Sequence, residues 1–212
     1  MITIAIAKGR MQDQALALLE RAGVRLDSEA LDSRRLAITD ESGEYRFIFV
    51  KPGDVPVYVE HGIADCGVVG RDVLLESQAD LFLPLDLRIA RCRMVVAAVD
   101  KEIMTRSLGM LRVATKYSRI AGAHFGARGI PVEIIQLSGS VELAPALGLA
   151  DLIVDLVETG RTLSDNGLTV VEEIAESTGR LVVNRASYQL KSASISRLIK
   201  ILETAMNGGR QV

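Results

Sequence analysis

Tryptophan is absent from this 212-residue chain, and aromatic residues together make up only 4% of it. The core must therefore be aliphatic, and 49% hydrophobic with 25% charged residues is ample material for one. Cysteine is nearly as scarce. Cys66 and Cys92 are too few for a disulfide framework and stand in no metal-type spacing. Histidine occurs only as His61 and His124, which leaves little for a histidine metal site or a catalytic triad. Both are read as surface or helix-end residues. There is no excess of positive charge: the formal net charge is −2 and the pI about 5.8, which argues against a surface for duplex nucleic acid. No apolar run approaches the ~18 residues that span a bilayer. Met1 to Ala7 has no basic stretch ahead of it and reads as a strand, not a signal peptide. A cytoplasmic protein that binds neither nucleic acid nor membrane is expected.

What is present is strands rich in Val, Ile and Leu alternating with helices. Ile2, Ile4 and Ile6 alternate in a first strand that stops at Lys8-Gly9-Arg10; Met11, Ala15, Leu18, Leu19 and Ala22 then recur at helical spacing up to Gly23. Strands are expected over 36–39 and 45–50, then a helix to about His61 with Asp54 as its N-cap, and a buried strand over 66–69. The next helix starts at Gly70-Arg71-Asp72, with Asp72 read as a cap. The middle of the chain repeats this grammar: strands over 93–99, 111–115, 132–137 and 152–157, a helix over 118–128, and a helix that follows the turn Ser138-Gly139-Ser140 and runs to Leu147. Strands over 168–174 and 181–184 and a helix over 194–206 close the chain, with 207–210 expected to fray. Such alternation implies parallel sheets covered on both faces. Two α/β lobes are expected, one from residues 1–88 with 179–212 and the other from 89–178, with a cleft at the carboxyl ends of the strands.

Lys8, Arg10, Lys51, Arg71, Arg93, Lys116 and Arg161 all fall near strand ends or turns, an arrangement suited to a small polyanion; taken singly, such residues are as readily solvated surface. The most informative stretch is Asp151-Leu-Ile-Val-Asp155-Leu-Val-Glu158-Thr159-Gly160-Arg161-Thr162. A hydrophobic strand delivers carboxylates to its carboxyl end, and a tight loop with two hydroxyls precedes a helix. Backbone N–H groups in such a loop form an anion nest, and Gly160 lets a phosphate approach without a Cβ in the way. Asp155 can accept hydrogen bonds from vicinal ribose hydroxyls while the loop holds a 5′-phosphate. Together these describe a phosphoribosyl site. A strand-turn-helix of this kind also forms without any ligand.

The longer pattern is more specific. Glu142, Gly148, Ala150, Ile153, Asp155, Leu156, Thr159, Gly160, Thr162 and Leu163 stand at the spacing of the ATP phosphoribosyltransferases. The chain resembles that family also through Ser138-Gly139-Ser140-Val141-Glu142-Leu143-Ala144-Pro145, Arg112-Val113-Ala114-Thr115-Lys116-Tyr117, Val50-Lys51-Pro52-Gly53-Asp54-Val55-Pro56 and Ala64-Asp65-Cys66-Gly67-Val68-Val69-Gly70. The likeness runs from residue 2 to about 185. It implies two lobes like those of periplasmic binding proteins (type II-like), with the active site in the cleft between them. It also implies attack of adenine N1 of ATP on C1 of phosphoribosyl pyrophosphate (PRPP), with inversion and loss of pyrophosphate, the first step of histidine biosynthesis.

On that reading Lys8, Arg10 and Lys51 are the catalytic candidates, as cations that stabilise the leaving pyrophosphate. Mg²⁺ would travel with PRPP and pyrophosphate, with no metal ligands from protein side chains. Asp155, Glu158, Thr159, Gly160, Arg161 and Thr162 would bind PRPP. Gly9, Arg34, Arg35, Gly70, Arg71, Cys92, Ser138, Gly139, Ser140 and Glu142 would line the ATP site; only one of Arg34 and Arg35 matches the family's basic position. Cys92 reads equally as a small buried apolar residue. Glu142 either reaches the adenine amino group or starts its helix. The likeness is to the short form, without a C-terminal regulatory domain. That form implies a homodimer of catalytic subunits and a hetero-octamer with a regulatory subunit resembling a histidyl-tRNA synthetase. A solute-binding module and a different phosphoribosyltransferase are the competing readings. The former has no need of the Asp-x-x-x-Thr-Gly-x-Thr run; Lys51–Asp54 and Ser138–Pro145 point away from the latter.

Overall fold

The computed structural model describes residues 1–27, 31, 37–106 and 109–208. The chain divides into two compact units, Met1–Ala90 with Thr178–Val212, and Arg91–Ser177. Among the described residues no helix is long and apolar enough to cross a membrane.

In the first unit the elements are β1 (Ile2–Ala7), α1 (Arg10–Arg21), β2 (Ala37–Thr39), β3 (Tyr45–Val50), a 3₁₀ turn (Pro52–Asp54), α2 (Val55–Glu60), β4 (Cys66–Gly70), α3 (Arg71–Ser77) and β5 (Phe82–Asp86). The second unit holds β6 (Cys92–Ala98), α4 (Ile103–Arg106), β7 (Leu111–Thr115), α5 (Ser118–Ala127), β8 (Val132–Gln136), α6 (Leu143–Ala146), β9 (Leu152–Val157), α7 (Arg161–Asp165) and β10 (Thr169–Ser177). The chain then returns to the first unit as β11 (Gly179–Val183), α8 (Arg185–Leu190) and α9 (Ser192–Gly208).

The sheets run β2-β3-β1-β4-β11-β5 and β10-β6-β9-β7-β8. They are mixed, not parallel as expected. Strands joined through helices do lie parallel, as β1 does with β3 and β4, and β7 with β8 and β9. One strand in each unit breaks the pattern: β11 inserts antiparallel between β4 and β5, and β6 between β9 and β10. These two strands bring the chain in from the other unit, so no crossover helix dictates their direction. Short β2 is also antiparallel to β3.

Strand β1 is buried on both faces, and its alternation separates two cores. Ile2, Ile4 and Ile6 pack with Leu18 and Leu19 of α1 and Ile195, Leu198 and Leu202 of α9. Ala5 and Ala7 pack with Val55 and Val59 of α2. The closeness of α2 depends on Gly67 in β4: a Cβ there would stand 2.7 Å from Val55 Cγ1 and 2.9 Å from Val59 Cγ2. Both valines are fully buried and stiff at χ1. Gly67→Ala is therefore expected to cost about 1–3 kcal/mol in a urea melt. An unchanged midpoint would mean that α2 shifts freely. In the second unit Val96, Val113, Leu152 and Val154 face Ala121 and Phe125 of α5. The other face, with Val95, Ala97, Ala114 and Ile153, is covered by Val141, Ala144 and Leu163.

Several local expectations are corrected. Asp54 closes a 3₁₀ turn begun by Pro52 and holds the expected N-cap position of α2, but its side chain makes no cap bond. Gly70, not Asp72, holds the N-cap position of α3, and Asp72 is buried in its first turn. The helix expected after Ser140, running to Leu147, contracts to the four residues of α6, and α9 continues through Asn207 and Gly208. The two histidines fall as expected: His61 is exposed at the end of α2, and His124 lies in the last turn of α5, with its Nε2 3.5 Å from Glu172 and its side chain 12% exposed. Strand β5 and helices α4 and α8 are additions to the expected elements. Pro84 in the middle of β5 hides the strand pattern, and it is tolerated because β5 is an edge strand.

Candidate active site

In each unit three adjacent parallel strands end at one edge, and the proposed site residues gather there. In the second unit the strands are β8, β7 and β9. Register places Thr115 beside Gln136 and Val154, so Lys116, the segment from Leu137 and Asp155 emerge side by side. Thr115 is fully buried and fastens this edge: its hydroxyl donates to the Val154 carbonyl at 2.6 Å and accepts the Tyr117 N–H at 2.9 Å.

Asp155 extends the apolar face of Ile153 to the edge, where the core stops. One of its carboxylate oxygens accepts the Leu156 N–H at 2.8 Å and lies 3.8 Å from Lys116 Nζ. Burial pushes its carboxyl above the usual range and the Glu142 carboxylate adds to this, while Lys116 and the Leu156 N–H oppose it. Glu142 occupies the N-cap position of α6 without making a side-chain cap bond, so its carboxylate bears on Asp155 instead. Beyond β9, Glu158, Thr159, Arg161 and Thr162 are exposed. Gly160 adopts φ 82°, a left-handed conformation natural to glycine, and starts α7. The Thr159 hydroxyl accepts the Arg161 N–H at 3.4 Å. Ser138, Gly139 and Ser140 form an exposed turn after β8, with Ser140 itself at φ 48°.

In the first unit the strands are β3, β1 and β4, and after them stand Lys51, Lys8-Gly9-Arg10 and Gly70-Arg71. Lys8, Arg10, Lys51 and Arg71 are all exposed. The Lys8 N–H donates to the Val50 carbonyl at 2.9 Å, which ties the ends of β1 and β3 together. Gly9 turns the chain with φ 88° into α1, and the Arg10 guanidinium reaches the Ala90 carbonyl at 3.4 Å. Arg34 and Arg35 lie outside the described residues.

Cys92 begins β6 at the same edge of the second unit as Asp155, buried, with its thiol 3.8 Å from the Ser177 carbonyl. Cys66 stands at the start of β4, the opposite end of that strand from Gly70, and burial pushes its thiol up to about 12, which keeps it protonated and inert. Two residues that follow β7 at this edge are not assigned to the site by the sequence. It marks Lys116 only as a cation near a strand end, though the Thr-Lys-Tyr run directly after β7 is a usable signal. Ser118, the first residue of α5, has a buried hydroxyl oxygen without a hydrogen-bond partner; nothing in the sequence distinguishes it from an ordinary helix start.

Residues 51–204 match the family model HisG, ATP phosphoribosyltransferase. The chain is 50% identical over 208 residues to the ATP phosphoribosyltransferase of Caldanaerobacter subterraneus subsp. tengcongensis, covering 98% of this chain and 99% of the relative. It is 51% identical over 209 residues to that of Sorangium cellulosum, covering 98% and 97%. Among solved structures it is similar to the "ATP phosphoribosyl transferase (HisG:HisZ) complex from Thermotoga maritima", with a TM-score of 0.84, 35% identity and coverage of 98% of this chain and 100% of that one. The periplasmic aliphatic sulphonate binding protein SsuA from Escherichia coli shares the α/β fold alone, with a TM-score of 0.60 at 16% identity over 97% of this chain and 72% of that one.

Proposed function

The chain belongs to the ATP phosphoribosyltransferase family, glycosyltransferases of histidine biosynthesis, and from that premise we propose that it couples adenine N1 of ATP to C1 of PRPP with inversion. The C1–oxygen bond breaks as the N1–C1 bond forms, and pyrophosphate leaves with the electron pair. The observation that carries the placement of PRPP is the convergence of Asp155, Lys116 and Glu142 beside the Gly160 turn at one sheet edge. Asp155 accepts from the ribose diol, and the Glu158–Thr162 loop takes the 5′-phosphate. The 138–142 turn with Glu142, together with Gly9, Gly70, Arg71 and Cys92, is assigned to ATP.

Adenine N1 brings its own lone pair, so the attack needs no strong base. The demand on the protein is to stabilise charge that builds on the leaving group. Lys8, Arg10 and Lys51 are assigned that role. Mg²⁺ carried by the pyrophosphate oxygens would neutralise further charge on the leaving group. The donor set at the Asp155 edge fits an ion of that kind: two carboxylates, one of them already engaged by Lys116, form no cage of their own. Arg10→Ala is expected to lower kcat about tenfold, less than the loss of a sole preorganised donor, because the load is shared. PRPP and ATP affinities should change less than about threefold. Normal turnover would remove Arg10 from the leaving-group role.

The Thermotoga maritima relative is found in a HisG:HisZ complex. A regulatory partner of that kind, resembling a histidyl-tRNA synthetase, is proposed here too, with catalytic subunits paired as homodimers within a hetero-octamer in the cytoplasm. The direct test is an absorbance assay with ATP, PRPP, Mg²⁺ and pyrophosphatase, with and without the partner and histidine. New near-ultraviolet absorbance from the N1-substituted adenine, inhibited by histidine only in the complex, is the expected result. Folded protein that binds PRPP but forms no product in either condition would overturn the assignment of ATP as acceptor.

A further inference from the structure

We infer that Lys116 is a positioning residue for the phosphoribosyl site, its ammonium keeping Asp155 in the ionised form that accepts hydrogen bonds from the ribose diol. The inference rests on the placement of PRPP at the β9 loop proposed above.

Three features of the edge lead to it. The first is charge. Asp155 sits at the rim of an apolar core and is acted on by one other carboxylate, Glu142 from the start of α6, and by one cation, Lys116 from the turn after β7. Its cross-strand neighbour on β6 is the uncharged Val95. Burial and Glu142 both favour a proton on Asp155, and a protonated carboxyl is a poorer acceptor for a diol. Among these groups Lys116 is the only full charge working in the opposite direction.

The second feature is distance. At 3.8 Å the pair is longer than a closed charge-assisted hydrogen bond, and both side chains keep partial solvent access, 43% for Lys116 and 24% for Asp155. Lys116 therefore biases the ionisation of Asp155 without filling its hydrogen-bonding capacity, and the carboxylate stays open to a ligand.

The third is rigidity. Lysine is a flexible residue, yet this one is held. The buried Thr115 hydroxyl locks the start of the turn to β9, one residue before Asp155. The same oxygen accepts the Tyr117 N–H, which sets the buried tyrosine ring, and Lys116 Nζ lies 4.9 Å from the centre of that ring. A solvated surface lysine has no need of such a seat.

The test is PRPP binding by calorimetry between about pH 5 and pH 8. The proteins are the parent, Lys116→Met, Lys116→Arg, Asp155→Asn and the Lys116→Met/Asp155→Asn double variant, with ATP binding as the check on folding. Lys116→Met should leave PRPP binding near its parental strength at the alkaline end and weaken it progressively, up to about tenfold, toward the acid end, as the acid limb moves up by about one pH unit. Lys116→Arg should return the limb to its parental position even where affinity is incompletely restored, because the charge is back. On the Asp155→Asn background the methionine should add less than about twofold. A loss that does not vary with pH, or one of equal size on both backgrounds, would show Lys116 acting on PRPP directly and overturn the inference alone. Full affinity in Lys116→Met across the whole pH range would also overturn it. Full affinity in Asp155→Asn would instead displace the ribose from this edge and sink the underlying placement with it.

Discussion

Asp155→Asn is expected to weaken PRPP binding about a hundredfold while the protein melts at the parental temperature or slightly above it. The loss follows from what the diol meets. Hydrogen bonds to an ionised carboxylate contribute roughly 1.5–3 kcal/mol each, and the amide replaces one acceptor oxygen with a donor. That NH₂ faces donors on both sides, the ribose hydroxyls and the Lys116 ammonium. The fold has no matching reason to suffer. An asparagine oxygen can still accept the Leu156 N–H, which the parental carboxylate takes at 2.8 Å. Burial holds the Asp155 carboxyl above its usual range, so its ionised form is a net cost to the folded state near neutrality, and the neutral amide removes that cost. The parental enzyme should also lose PRPP affinity as the pH falls through this raised range, whereas the asparagine variant should not. Calorimetric titration with PRPP beside a thermal melt reads both effects. An affinity within about twofold of the parent in a folded variant would place the ribose elsewhere.

How far such a site is legible in the amino-acid sequence depends on whether its cause is local. Strand β9 and its turn are legible because Leu152–Val157 is an apolar run interrupted only by Asp155 and ended by Glu158-Thr159-Gly160, and the Gly160 φ of 82° is what that glycine signals. The turn Lys8-Gly9-Arg10 is legible for the same reason, with Gly9 at φ 88°. The inserted strands are not. Nothing local in Gly179–Val183 or Cys92–Ala98 states the direction in which it pairs, since that is settled by where the chain comes from. Asp54 and Asp72 show the limit of cap reading. Each carries a side chain able to cap a helix start, but Asp54 holds the cap position of α2 without making the bond, and Gly70 takes the cap position before Asp72. Within the site, Lys116 escapes assignment because its significance lies in Asp155 and Glu142, 39 and 26 positions away along the chain.

A long-range feature of this kind yields the largest expected effect on stability: Asp65→Ala should destabilise the protein by about 3 kcal/mol. Asp65 is 5% exposed at the start of β4, and its carboxylate accepts three bonds from distant segments. These are the Thr3 N–H at 2.9 Å, the Ser187 hydroxyl at 2.7 Å and the Lys191 ammonium at 2.8 Å. Its own backbone exchanges bonds with Thr3 and Asn184. One side chain thus fastens β1 to the closing helices, and alanine would leave a part-buried N–H and an ammonium without that acceptor. Burial alone would raise the Asp65 carboxyl, but the bonds from Lys191, Thr3 and Ser187 together outweigh it and hold the group below its ordinary 3.8. The sign follows: the stabilisation is fully present above the unfolded carboxyl's range and disappears as pH falls through the lower folded value. Urea melts of parent and variant should therefore differ by the full amount at neutrality and converge in strong acid. A difference below about 1 kcal/mol at neutral pH would mean that Lys191 and Thr3 find other partners. Because Asp65 meets β1 at its first residues, five positions from Lys8, activity per folded molecule should be unchanged, separating what holds this unit together from what it does.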